Sequence, residues 1–451
     1  MEYSNPRAER RTPRAAPPHA EQPATAAAEA SSAAHAPAWR RRIGPWLGCG
    51  AFLAVLGPGL VVMLADTEVG SIITAAQSGV QWGYRLLLLQ LLLMPVLYVV
   101  QELTVRLAIF TGKGHGELIR STFGPGWAWV SVSGLGIATL GALLAEFSGV
   151  AGVGELYGVP RALSLSLAAA LLLVVVLTGS YRRVERVAIA LGLFELAFFV
   201  VAYEAHPHAA QLARGLLQVP LHDRRYDYLV AANIGAVIMP WMIFYQQSAV
   251  ADKKLRARHY RYARWDTALG AVVTQLVMAA VLIAAAATIG RYDGHASLNS
   301  VGDITRVLVP VLGAPVGRFV FGLGTIGAAM VAAIVVSLAS AWGFGEVTGY
   351  RHSLEHHPLE APWFYGIYAL AVIGGAVTVG LVPDLVALNI GVEVMNALML
   401  PVVLGFLVLL AFRALPAEHR LRGVYAWVVV AAAMLTAGLG VYGGLSGVSL
   451  F

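Results

Sequence analysis

Two carboxylates, Asp66 and Glu68, stand two residues apart in a run that is otherwise apolar from Ala51 to Ala76. A carboxylate at mid-membrane costs several kcal/mol unless it faces a cavity or a partner. On one regular helix, positions i and i+2 point to different faces, so both acids cannot share a partner there. Unwinding the chain over 65–70, with Gly70 just past the acids, resolves the conflict. It turns both side chains toward one cavity and frees backbone carbonyls that can bind a cation.

A second interruption is written further on, in Gly235-Ala236-Val237-Ile238-Met239-Pro240-Trp241. Pro240 has no N–H and its ring clashes with the preceding turn, which predicts a break near 236–239. The first break offers Asp66, Glu68, Ser71 and the Ala65 carbonyl, and the second offers the Met239 thioether and the Ala236 carbonyl. Two acids favour a cation. Mg²⁺ and Ca²⁺ want hard oxygen ligands, whereas a thioether suits softer first-row ions. Mixed oxygen and sulfur ligation therefore points to Mn²⁺, Fe²⁺ or a neighbour such as Co²⁺ or Cd²⁺. Most buried methionines simply fill space, and it is the place of Met239 before Pro240 that singles it out.

The elements that must position these residues are membrane helices. Of 451 residues, 58% are hydrophobic and only 12% charged, about half the charge of a soluble chain. Apolar segments at 48–77, 84–110, 127–154, 160–180, 184–204, 227–250, 265–290, 317–346, 362–381, 385–412 and 424–446 predict about eleven helices. They are too long, and alternate too little, to be barrel strands. The two interrupted spans are then the first and the sixth. In a five-plus-five inverted repeat these are equivalent elements, and such a pair marks a transporter's midplane site. Residues 1–42 are rich in Ala, Pro and Arg without an apolar period, and are expected to form a disordered tail ahead of a membrane domain at 43–451. Basic residues concentrate at 40–42, 113–120, 182–186, 253–264, 351 and 413–422. They place the N-terminus in the cytoplasm and, with an odd number of spans, the C-terminus outside.

The breaks resemble those of the Nramp family of divalent metal transporters, which pairs Asp-Pro-Gly-Asn in helix one with Met-Pro-His in helix six. The register follows from Gln81-Trp82-Gly83-Tyr84, which sets Glu68, Val69, Gly70 and Ser71 on the first motif. Met239 and Pro240 match the second, Trp241 replaces its His, and Gln247-Ser248-Ala249 is similar to the family's His-Ser-Ala. The likeness extends through 103–120 and Ala145-Glu146, and covers nearly all of 45–446. It implies an all-α membrane protein of LeuT-type fold, with repeat one at about 46–205, repeat two at about 226–413 and an extra helix at about 424–446. It also implies metal ligation by Glu68, Ser71, Met239 and the carbonyls of Ala65 and Ala236, beside which Asp66 is an added acid. Three departures bear on coupling. Glu68 is longer than Asp, Ser71 is shorter than Asn, and Trp241 and Leu143 remove two groups associated with proton movement. Glu146, with Glu68, is left as the proton pathway, and Trp241, Gln247 and Asn396 are expected along the ion's path.

The resulting expectation is a secondary transporter of Mn²⁺ or Fe²⁺ in a bacterial inner membrane, working by alternating access with altered proton coupling. Its partners are the ion and the lipid bilayer. Neither a cofactor nor nucleic acid is expected, and one chain is expected to act alone. Mg²⁺ is the alternative cargo, since the extra carboxylate suits a hard, hydrated ion. Sodium-coupled symport of an organic solute is the competing class, but Asp66 and Glu68 repel an anionic substrate. Intramembrane enzymes fit less well. The chain has no His-Glu-x-x-His helix, and its single Cys49 excludes a multi-cysteine metal site.

Overall fold

The computed structural model describes residues 57–220, 223–288, 313–381 and 386–448, and it is helical almost throughout. The tail at 1–42 and residues 48–56 of the first expected span lie outside the described residues. The helices are α1 (Pro58–Asp66), α2 (Val69–Trp82), α3 (Leu87–Thr111), α4 (His115–Phe123), α5 (Pro125–Leu156) and α6 (Arg161–Leu177). Then come α7 (Tyr181–Gly192), α8 (Ala197–Glu204), α9 (Ala209–Leu216), α10 (Arg224–Val237) and α11 (Pro240–Asp252). The remainder are α12 (Tyr260–Ala287), α13 (Ala314–Thr348), α14 (Pro362–Leu381), α15 (Val386–Arg413) and α16 (Gly423–Val448).

Among the described residues, nine helices or joined helix pairs are long and apolar enough to cross a bilayer. The pair α1 and α2 forms a further span, bent by 48°. The 17 residues of α6 reach about 26 Å, slightly short of the hydrocarbon core. On α6, Leu163, Leu167, Leu171 and Val174 are all exposed and recur at helical spacing, as a lipid-facing stripe should. Two helices were not anticipated as separate elements, α4 and α9. Both lie in connections between spans and carry an apolar face too short to read as a crossing.

Both interruptions are narrower than the sequence suggested. The first is confined to Thr67 and Glu68, between α1 and α2. The second is confined to Ile238 and Met239, between α10 and α11. Gly70 is not part of its break; it lies in the first turn of α2. Pro240 takes the first position of α11, where a missing N–H costs nothing. Its absent donor would otherwise have bonded the carbonyl four residues back, that of Ala236.

Polar contacts inside the bundle fix how these pieces sit. The N–H groups of Gly57 and Gly59 donate to Asp266 Oδ2 at 3.2 and 2.8 Å, and that of Leu60 to Oδ1 at 3.1 Å. A carboxylate on α12 thus satisfies the donors left open at the start of α1. Fully buried Glu102 on α3 accepts three bonds from Arg106 and one each from the hydroxyls of Tyr260 and Tyr425, tying α3 to α12 and α16. Asn233 on α10 donates to Ser78 Oγ at 2.8 Å and accepts from Gln90 Nε2 at 2.7 Å, which holds α2, α3 and α10 in register.

Candidate functional site

Helix α1 ends at Asp66, so the carbonyls of its last turn, that of Ala65 among them, lack partners within the helix. Helix α2 begins at Val69 with Glu68 extended before it, and presents its positive end to whatever lies in the break. The Val69 N–H donates to Glu146 Oε2 on α5 at 3.4 Å, one of the orphan donors expected there. Thr67 is anchored separately, its hydroxyl lying 2.7 Å from that of Thr274 on α12.

The two interruptions meet through Ser71. Its Oγ donates to the Ala236 carbonyl at 2.9 Å, the carbonyl that Pro240 leaves without a helical partner. Two groups predicted as ligands from residues 165 apart are therefore in direct contact. Met239, three residues on, sits extended at the start of α11 and is fully buried.

Five acids converge from four spans: Asp66, Glu68, Glu146, Glu195 and Glu393 are each at most 1% exposed. None takes part in an ion pair among the described residues. Among the described residues, no donor in hydrogen-bonding geometry faces either oxygen of Asp66, Glu68 or Glu195. The Glu68 carboxyl lies within hydrogen-bonding reach of both Glu146 and Glu393. Carboxylates that close repel unless a proton or a cation lies between them. Asp66, at the end of α1, neighbours Thr274, Glu195 and Glu393. No three His, Cys, Asp or Glu side chains among the described residues are arranged to hold an ion by themselves.

Glu393 stood in the sequence only as one polar residue in an apolar span, with no sign of its neighbour. Its placement explains Gly70. A β-carbon added at Gly70 would collide with Glu393 Oε1 and stand 3.4 Å from Glu68 Oε1. Gly70 leaves room for the Glu393 carboxylate in its present position beside α2 and is not part of the unwound stretch. Asn396, one turn on, donates to Glu393 Oε2 at 3.1 Å and so orients that carboxylate.

Two expected path residues are engaged otherwise. Gln247 is held by two contacts: its Oε1 bonds His115 Nδ1 at 2.9 Å and its Nε2 donates to the Lys113 carbonyl at 3.1 Å. Its neighbour Gln246 joins Thr104 at 2.6 Å and Thr267 at 2.9 Å. Both amides join α11 to surrounding elements, because a buried amide must satisfy its donors and acceptor. Trp241 is fully buried, and its indole N–H has no hydrogen-bond partner among the described residues. His115 sits in a connection, yet its ring is buried edge-on to Phe244 at 4.9 Å.

That burial has a measurable consequence. Removal from water pushes the His115 imidazole down from 6.5 to about 4, against the weaker opposing pull of Gln247. Between those values the unfolded chain binds a proton that the folded chain does not. Stability therefore falls as pH drops through that window, by on the order of 3 kcal/mol at this group. Thermal unfolding of the parent and His115→Asn proteins from pH 7 to 4.5 is expected to show a shallower decline in the variant. Parallel declines would remove His115 as the cause.

The chain matches the family model described as natural resistance-associated macrophage protein-like over residues 59–446. It is 28% identical, over 420 residues, to the divalent metal cation transporter MntH of Klebsiella pneumoniae (strain 342), covering 88% of this chain and 96% of that protein. The fold is similar to that of the Eremococcus coleocola manganese transporter crystallised with an aromatic bis-isothiourea substituted compound. The TM-score there is 0.72 at 20% identity, covering 88% of this chain and 87% of that one. It is also similar, at a TM-score of 0.58 and 16% identity, to MhsT in complex with L-phenylalanine, covering 87% of this chain and 98% of that one.

Proposed function

The chain belongs to the Nramp family, and on that premise we propose that it is a secondary transporter of divalent transition-metal ions, Mn²⁺ and Fe²⁺ foremost. The observation that carries this reading is the contact between Ser71 Oγ and the Ala236 carbonyl, which links the two helix interruptions beside buried Glu68 and Met239. An ion entering there exchanges that single hydrogen bond for two oxygen ligands. Glu68 supplies charge, the Ala65 carbonyl a further oxygen and Met239 the sulfur that discriminates against hard ions. Alternating access then consists of motion of the half-helices about the fixed site, release toward one side requiring α1 to leave Asp266.

Proton coupling is proposed to be weak. Trp241 cannot titrate, and the remaining acid of the family's route, Glu146, is engaged by the Val69 N–H. A proton delivered to the site has Glu68 and Glu146 as its carriers. The proposed setting is a bacterial inner membrane, with the N-terminus cytoplasmic, the C-terminus outside and one chain per functional unit.

A second reading has its own observation. Glu393 beside Glu68 enlarges the set of hard oxygens, which favours Mg²⁺. Uptake into proteoliposomes separates the two. Mn²⁺ is expected to enter faster than Mg²⁺ at equal concentration, with little acidification of the lumen. Faster Mg²⁺ entry would overturn the argument from sulfur, and acidification in proportion to Mn²⁺ would overturn weak coupling.

A further inference from the structure

At the end of α12 away from the site's midplane, the stretch 253–264 carries Lys253, Lys254, Arg256, Arg258, Arg261 and Arg264 without an acid between them. Lys253 is spent on Glu185, at 2.7 Å. Arg261 and Arg264 are not spent in this way. They line a recess of about 470 Å³ with Tyr98, Trp265 and Ala268, in which no carboxylate takes part. The Arg264 side chain is 46% exposed and is oriented by the Tyr98 hydroxyl at 3.1 Å. Its nearest acid, Glu102 at 3.8 Å, is already matched by the paired bonds from Arg106. The recess thus holds excess positive charge and oriented N–H donors facing outward.

The same helix face continues as grease. Trp265 is 62% exposed, and Leu269, Val272 and Leu276 follow it on the surface at helical spacing. A cationic pocket at the foot of an exposed apolar rail, with an indole at their junction, matches one kind of molecule. We propose that this face of α12 binds an anionic phospholipid. Its phosphate lies between Arg261 and Arg264, its glycerol region against Trp265, and an acyl chain along Leu269, Val272 and Leu276. Guanidinium forks suit phosphate oxygens, and arginines at a bilayer surface each contribute about a fivefold preference for anionic lipid. A free phosphate satisfies the arginines but leaves the apolar rail unexplained, so the lipid is the source named. This site is independent of which metal the chain carries.

The test uses the full chain reconstituted with brominated phosphatidylglycerol or brominated phosphatidylcholine. Trp265 quenching is taken as the signal lost in Trp265→Phe. Phosphatidylglycerol is expected to quench at much lower mole fraction than phosphatidylcholine, and 1 M salt to narrow the gap. Arg261→Gln is expected to weaken the preference about fivefold, and Arg261→Gln with Arg264→Gln to abolish most of it. Because Arg264 also contacts Tyr98, the exposed Arg261 variant decides alone should the double variant fail to fold. Equal quenching by the two lipids, or an unchanged preference in Arg261→Gln, would overturn the proposal. So would inorganic phosphate at millimolar concentration displacing the lipid, which would make the pocket a free-phosphate site.

Discussion

Replacing Glu68 by Gln is expected to cut Mn²⁺ uptake by roughly two orders of magnitude or more. The substitution keeps the size of the side chain and removes its charge. Losing one member of a buried, desolvated charge contact costs about 2–5 kcal/mol, and each 1.4 kcal/mol is tenfold. Glu146 and Glu393 cannot fully compensate, because Glu68 alone lies within reach of both. Met239→Ala is expected to act differently. It leaves the charge intact and removes the soft ligand, so Cd²⁺ and Mn²⁺ binding weaken while Mg²⁺ competes better. Radioisotope uptake and calorimetric titration on both variants provide the check. Should Glu68→Gln transport at the parent's rate, the site does not lie between the two breaks. Should Met239→Ala keep the parent's selectivity, the thioether is only packing.

Substituting Ala for Gly235 is expected to damage the fold rather than the chemistry. A β-carbon there would overlap the Glu393 carbonyl and stand 2.9 Å from the Ala397 nitrogen. Both neighbours are backbone, which cannot rotate aside, so α10 and α15 must separate. Overpacking of this kind typically costs about 1–3 kcal/mol, and more when backbone must move. The expected result is a lowered thermal midpoint and poor recovery from the membrane. Gly366→Ala and Gly374→Ala on α14, where an added methyl meets nothing, are the controls and should gain slightly from better helix propensity. Gly70→Ala falls between these cases. Its obstacle is the mobile end of the Glu393 side chain, so transport should suffer more than melting. A Gly235→Ala protein that melts with the parent would show that α10 and α15 approach less closely than described.

The helices and their interruptions were written locally. Runs of about 20 apolar residues leave no other way to satisfy backbone N–H and C=O in lipid. Pro240 forfeits the bond to Ala236 wherever its helix is placed, and two acids two residues apart cannot share a face. These are properties of a few consecutive residues, so composition and spacing were enough to read them. What the acids and amides face is a property of helix pairing, which no local pattern encodes. Glu393 came to lie beside Glu68 because α15 passes α2 at Gly70, whose missing side chain leaves room for the carboxylate. Gln247 meets His115 because α4, a short helix in a connection, packs against α11. Glu195 lies near Asp66, on a single 3₁₀ turn at Leu193–Leu196 that no apolar pattern announces. Sequence fixes which groups must leave a regular helix; packing decides which of the remaining polar groups they find there.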